Sequence, residues 1–273
     1  ADSLQGARKH HSIQWFRKAK AVLRSELPEP AYGISRHLLD QRLAERFRRA
    51  GGSFIENSRW ATATPQEGQV LCHGREASPS DWIGLKFHAR DLTTTADLEL
   101  HLAQHGYLGL SAIENGRVNV CALFKRRPDL KAPKNELLLT YLQACGLHSL
   151  KDRLQAATID PESHMGVAGI QFATAPRNEA GVLRLGDAYS VIPPFTGNGM
   201  SVALESAAIA SPALIRFAQG QSDWHSTVDR IHQQLQQRFH RRLRCAKALH
   251  PWIHHPRRQQ ILSTIARLQL IPF

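Results

Sequence analysis

The clearest pattern in the chain lies near its C-terminal end. Trp224, Val228, Ile231, Leu235, Phe239 and Leu243 recur every three or four residues, the spacing that lines one face of a helix. Ser222 is placed to cap its start, and Asp223 suits the positive end of the helix dipole. Arg238, Arg241, Arg242, Arg244 and Lys247 gather at the negative end. Pro251 and Pro256 predict a break before a short final helix. Upstream, Leu38, Leu39, Leu43 and Phe47 predict another helix, with Ser35 at its N-cap, Gly51-Gly52 closing it and Glu45–Arg49 pairing on its surface. The amphipathic stretch from Ile13 to Leu23 reads as a helix that Pro28 and Pro30 end.

The middle of the chain reads as strands. Val118, Val120, Ala122 and Phe124 alternate with Arg117, Asn119, Cys121 and Leu123. The alternation is imperfect, which suits a strand buried on both faces. Before it, Glu114-Asn115-Gly116 predicts a tight hairpin turn, because Asn-Gly tolerates the positive φ angles of a type I′ turn. Asp97–Leu102 and Tyr107–Ile113 read as extended. Shorter strands are expected at Ser53–Trp60, Gln69–His73, Gly166–Thr174 and Val182–Leu185. Helices are expected over Glu136–Cys145, Leu150–Ala157 and Met200–Phe217, the last rich in alanine. Helices alternating with extended runs predict a mixed α/β (α+β) fold.

Composition narrows the function. With 42% hydrophobic and 21% charged residues over 273 positions, the chain can bury a full core. Its formal charge of +12 admits nucleic acid, an anionic membrane or an anionic small molecule as partners. It reads first as a solvated basic surface, and nucleic acid is not the expected partner. Cys72, Cys121, Cys145 and Cys245 are scattered without a CxxC pair, so neither a disulfide framework nor a zinc site is expected. No apolar run reaches the roughly 18 residues of a membrane span, and no signal peptide is visible at the start, which together predict a cytoplasmic protein. His250, His254 and His255 cluster around Pro251 without a matching carboxylate, so no metal site is expected.

The informative stretch is Leu185-Gly186-Asp187 through Pro193-Pro194-Phe195-Thr196-Gly197-Asn198-Gly199-Met200. A strand delivers a carboxylate at its tip, a proline-stiffened loop turns back, and two glycines open a helix. Glycines let a ligand approach the backbone, and a helix start offers free N–H groups with partial positive charge. A flat ligand that accumulates negative charge, such as reduced flavin, suits such a place.

Gly186-Asp187-Ala188, followed by Pro194 and Gly197-x-Gly199, resembles the second flavin motif of group A flavoprotein monooxygenases. The resemblance implies that Asp187 binds ribityl oxygen and that the backbone at Gly199 and Met200 meets the isoalloxazine. Gly186, Pro194, Gly197 and Asn198 belong to the same cofactor-binding element. Gly33-Ile34-Ser35-Arg36-x-x-Leu39-Asp40-x-x-Leu43 is similar to a helix of geranylgeranyl reductases and flavin-dependent halogenases, which implies that Arg36 contacts the cofactor. Trp82–Lys86, Gly106–Leu110 and Val118–Cys121 look like the substrate-domain sheet of that branch.

The resemblance implies an FAD-dependent oxidoreductase, a monooxygenase or reductase acting on a hydrophobic or aromatic small molecule, with NAD(P)H as electron donor. The implied fold is an incomplete Rossmann-like FAD-binding domain with an inserted antiparallel-sheet substrate domain and C-terminal helices. The segments expected are 1–75 and 176–220 for FAD binding, 76–175 for the sheet and 221–273 for the closing helices. The chain departs from the pattern in three places. Ser201 and Glu205-Ser206 stand where Asn and Asp-Ala often follow the second motif. The middle motif is reduced to Gly74-Arg75. No GxGxxG occurs, so the chain is read as starting after the first βαβ unit. No catalytic acid or base can be selected; His88, Tyr107 and Asn119 are candidate pocket-lining residues. The alternative is a non-catalytic remnant of this fold whose basic surface binds an anionic partner such as nucleic acid.

Overall fold

The structure, a computed structural model, describes residues 4–58, 65–76, 78–172 and 179–267. Along the chain run β1 (Arg8–Arg17), β2 (Lys20–Gly33), α1 (Arg36–Arg49), β3 (Val70–Leu71), β4 (Trp82–Arg90), β5 (Leu98–Ala103), β6 (Gly106–Ala112) and β7 (Val118–Lys125). They are followed by α2 (Leu137–Ala144), α3 (His148–Gln155), β8 (Thr158–Ile159), β9 (Met165–Ala168), β10 (Leu183–Arg184), α4 (Gly199–Ala218), α5 (Trp224–His254) and α6 (Pro256–Arg267). The mixed α/β class and the C-terminal helices agree with expectation.

The chain forms two compact units. Unit 1 holds Ala1–Arg59, Asp81–Ala168 and Trp252–Phe273; unit 2 holds Trp60–Ser80 and Gly169–Pro251. Residues 8–33 join the sheet of unit 1.

That sheet has the order β2-β1-β5-β6-β7-β4-β8, with β9 also paired to β4. It is mixed rather than wholly antiparallel, since β1 runs parallel to β5. The helix expected over Ile13–Leu23 is instead the β1–β2 hairpin. It turns at Lys18 (φ 49) and Ala19 (φ 60), the two positive φ angles of a type I′ turn without the residues that normally announce one. Pro28 and Pro30 do not end a helix. They fall where the register slips between His10↔Ala31 and Ser12↔Glu26, in the outermost strand of the path, where a missing N–H is tolerated.

The β6–β7 turn follows the sequence pattern, with positive φ at Asn115 (59°) and Gly116 (67°). Its Glu114 carboxylate accepts the Ser35 N–H at 2.8 Å and pairs with Arg117 at 2.5 Å. The start of α1 is thereby pinned, and Ser35 caps it as expected by accepting from the Leu38 N–H at 3.2 Å. The apolar stripe of α1 is less engaged than expected. Only Leu39 is buried, while Leu43 and Phe47 are exposed. Residues 53–58 are irregular rather than a strand, and the end of that expected strand lies outside the described residues. The strand expected over Gly166–Thr174 is β9, which ends at Ala168; residues 173 and 174 are likewise outside.

One face of the sheet is closed by α2 and α3. Leu138, Tyr141, Leu142, Leu150 and Leu154 pack on Leu85, Phe87, Leu108, Leu110, Val120 and Phe124. On this face sits a buried polar network that the sequence did not announce. The Glu99 carboxylate, fully buried, accepts from Arg153 and His101, each at 2.7 Å, and from the Thr95 N–H at 2.6 Å. Phe16 stacks on the His101 ring at 4.5 Å.

In unit 2, β3 and β10 form a two-stranded parallel sheet. Its core joins Leu183, Tyr189 and Ile192 to Val202, Ala210 and Ala213 of α4 and to the apolar stripe of α5. All six stripe residues predicted from the spacing are buried. Asp223, rather than Ser222, caps the helix by accepting the Ser226 N–H at 2.8 Å, while Ser222 pairs with Thr227. α5 also runs through Pro251, and the break comes at His255, the residue before Pro256, where helical geometry is disfavoured. Glu205 accepts from Arg238 at 2.7 Å and Arg242 at 2.8 Å, tying α4 to α5 and absorbing two of the clustered arginines. At 20 residues α4 is long and apolar enough to cross a membrane by length and composition alone, and its Val202, Ser206, Ala210 and Ala213 are buried.

Burial alone would raise the pKa of Glu99, but hydrogen bonds from His101, Thr95 and Arg153 outweigh it and hold the carboxyl at about 2, below its ordinary 4.5. A depressed carboxyl pKa gives stability that is complete above the unfolded value and lost as pH falls through the folded one. The urea midpoint is therefore expected to decline between pH 4.5 and 2, by up to about 3 kcal/mol. Glu99→Gln should flatten that decline and lower stability at neutral pH by about 3 kcal/mol. An unchanged profile would show that the network contributes nothing.

Candidate functional site

The site is built where β10 ends. Leu185 continues the sheet for one more bond, its N–H donating to Leu71 O at 3.1 Å. The chain then turns through one 3-10 turn, Gly186–Ala188. Gly186 has φ +61, and a Cβ there would lie 3.2 Å from the Ala203 side chain, so glycine is required both by conformation and by the close approach of α4. Its N–H donates to the Ser206 hydroxyl at 3.0 Å, and that hydroxyl donates to Ala203 O at 2.7 Å. The turn is thus docked on the second turn of α4, with Asp187 exposed beside it.

The loop returns through a second 3-10 turn, Pro194–Thr196, closed by Gly197 at φ +65 with its N–H on Pro194 O at 3.0 Å. Asn198 is the N-cap residue of α4, yet its side chain makes no capping hydrogen bond. The first amides of the helix, at Gly199 and Met200, are left without that partner, and a Cβ on Gly199 would meet nothing within 4 Å. A helix start without a side-chain cap presents N–H donors and partial positive charge to a ligand.

Asp187 also lines a small surface cleft. Arg75, Ser78 and Gln171 face it from one side, and Asp187, Tyr189 and Ser190 from the other. Arg75, from the reduced middle motif, donates to Gly169 O at 2.9 Å. The Tyr189 and Ser190 hydroxyls are buried, and among the described residues neither has a hydrogen-bond partner. Burial pushes the Tyr189 phenol up to about 12, so it stays protonated and able to donate.

These features fit a flavin nucleotide. A polyhydroxylated chain would meet a carboxylate and buried hydroxyls, and a flat ring with an electron-rich edge would meet a helix start without a side-chain cap. Of the residues expected from the sequence, Gly186, Asp187, Pro194, Gly197, Asn198, Gly199 and Met200 all lie in this one element of unit 2. Arg36 lies in unit 1, exposed on α1 and paired with Asp40 at 3.0 Å. Sequence reasoning missed Ser206, whose signal is one hydroxyl in the buried series Val202, Ser206, Ala210, Ala213. It also missed Ser78 and Gln171, which reach the cleft through folding alone.

The squalene epoxidase family matches residues 69–249, a stretch that includes Gly74-Arg75 and the whole Gly186–Met200 element. No curated protein sequence matches. Among solved structures, Klebsiella pneumoniae HpxO complexed with FAD and uric acid is 14% identical with a TM-score of 0.71, covering 98% of this chain and 79% of that one. Pseudomonas aeruginosa PqsL in complex with 2-aminobenzoylacetate is 16% identical with a TM-score of 0.65, covering 97% and 81%. The flavin-dependent brominase Bmp2 is 14% identical with a TM-score of 0.69, covering 97% and 78%. At these identities the structural likeness is one of fold. The family match spans most of the chain and contains its flavin-type element, and the chain belongs to the squalene epoxidase family of flavin-dependent monooxygenases.

Proposed function

We propose that this protein is an FAD-dependent monooxygenase of a small hydrophobic or aromatic molecule, with NAD(P)H as electron donor, and that unit 2 carries the principal flavin contacts. Asp187 accepts hydrogen bonds from ribityl hydroxyls. The amides of Gly199 and Met200 serve the electron-rich edge of the ring, with Pro194, Gly197 and Asn198 shaping the loop that frees them. Tyr189 and Ser190 supply hydroxyl donors along the cleft. Bound FAD supplies the redox chemistry, and the chain supplies shape, hydrogen bonds and positive potential.

The observation that carries this reading is the docking of the Gly186–Asp187 turn on α4, which sets an exposed carboxylate beside a helix whose start is left uncapped. The substrate class is supported by the solved relatives of the fold, HpxO with uric acid and PqsL with 2-aminobenzoylacetate.

Two measurements test it. Added FAD should bind the purified chain saturably, with quenched flavin fluorescence, and Asp187→Ala should weaken binding at least about tenfold, the effect of one charge-assisted hydrogen bond, with an unchanged circular dichroism spectrum. Fluorescence that ignores the protein, or an Asp187→Ala affinity equal to the parent's, removes the reading. Ser206→Ala strands the buried Gly186 N–H and should cost about 1–3 kcal/mol in urea unfolding, with weaker FAD binding as the turn loosens. A stability equal to that of the parent would mean the turn is held by other contacts.

A further inference from the structure

We infer that the sheet face of unit 1 turned away from α2 and α3 recognises the polar end of the substrate through His88 and Asn119. The substrate would then carry an adjacent hydrogen-bond acceptor and donor, as in a carboxamide, a lactam or a phenol, and would not be a bare hydrocarbon. That this ligand is the enzyme's substrate rests on the flavoenzyme reading; the site itself does not.

The assignment follows from the register. Side chains alternate across a sheet, and Phe87, Val118 and Val120 belong to the core under α2 and α3. Their neighbours His88 and Asn119 therefore point to the opposite face. The two are directly opposed, His88 on β4 against Asn119 on β7, which puts their Cβ atoms about 5 Å apart. His88 is only 8% exposed, yet among the described residues its Nε2 has no hydrogen-bond partner, and neither has the buried Oδ1 of Asn119. Buried polar atoms are nearly always paired, and leaving them unpaired costs stability. Two such atoms side by side on adjacent strands mark a place where a ligand completes the bonding.

Beside this pair the same face is open. In the adjoining row, Lys86, Cys121 and Gly109 stand opposite one another. Cys121 is exposed, and a Cβ added to Gly109 would meet nothing nearer than two strand carbonyls at 3.8 Å. The floor is therefore low beside the polar pair. Burial lowers the pKa of His88, Lys86 and Arg117 lower it further, and Asp160 and Glu114 pull weakly the other way. A neutral imidazole has one N–H to give. With Nε2–H donating and Asn119 Oδ1 accepting, the complementary ligand group accepts one bond and donates one.

The test uses the full chain, labelled with ¹⁵N-histidine, and two probes of similar size, benzamide and toluene. The His88 signal among the 15 histidines is assigned by its loss in His88→Gln. Benzamide should shift that signal saturably, and toluene at equal concentration should not. The double variant His88→Phe/Asn119→Leu should bind benzamide at least about tenfold more weakly while melting at the same temperature or higher, because orphaned polar atoms have been replaced by apolar ones. Asn119→Leu alone gives the same comparison should the double variant fail to fold. Equal responses to the two probes, benzamide affinity that survives the substitutions, or a fall in melting temperature with each variant would overturn the inference. No flavin is needed, so a chain that binds benzamide at His88 and ignores FAD keeps this site and loses the flavoenzyme reading. A chain that binds FAD and not benzamide does the reverse.

Discussion

The candidate flavin site depends on one hydrogen bond, from the Gly186 N–H to the Ser206 hydroxyl. It can form only because three residues are small. Gly186 takes a left-handed conformation and leaves room for α4, Ala203 permits the approach, and Ser206 reaches the amide without pushing the backbones apart. With the turn anchored there, Asp187 is left exposed, and the following loop must bridge from the strand end back to the first turn of the same helix. Gly197 makes that return with a positive φ angle, and it delivers Asn198 to the N-cap position without a side-chain cap. An ordinary helix start satisfies its amides with its own cap. This one has no side-chain cap, which is the physical basis for placing a ligand there.

The same distinction separates the two polar clusters of unit 1. Glu99 and His101 are as buried as His88, but each is bonded, and Arg153 supplies the charge that a buried carboxylate needs. Their place is on the helix-covered face, where they join β5 to α3, and a satisfied network of this kind belongs to the architecture. His88 and Asn119 lie on the other face and are unsatisfied. Burial alone would rank the two clusters alike. Counting partners tells them apart.

Much of this was legible in the sequence where the signal is local. The α5 stripe, the Asn115-Gly116 turn and the strand–Asp–loop–helix element each depend on residues close together in the chain, and each appears where the spacing puts it. What was not legible depends on distant partners. The β1–β2 hairpin turns at Lys18-Ala19, which lack the glycine or asparagine that a positive φ usually selects, and its amphipathic pattern resembles a helix until a neighbouring strand, β5, is available to pair with it. Pro28 and Pro30 read as helix breakers because nothing local reveals a bulge in an outer strand. The role of Ser206 is hidden for the same reason. It is one small residue in an apolar helix, and its partner lies 20 positions away.

Membership in the squalene epoxidase family constrains the cofactor chemistry more tightly than the substrate, because the two are read from different parts of the molecule. The matched stretch contains the Gly186–Met200 element, whose backbone geometry suits a flavin whatever is oxidised. It also contains β4 to β9 of the sheet, where a few side chains would decide what is held. A wall meant for a hydrocarbon gains nothing from an imidazole and an amide oxygen that lack partners, since apolar residues of similar shape would be neutral or better for folding. A fold shared with proteins bound to uric acid or 2-aminobenzoylacetate can accommodate either kind of wall. In this chain the unpaired atoms of His88 and Asn119 favour the polar one.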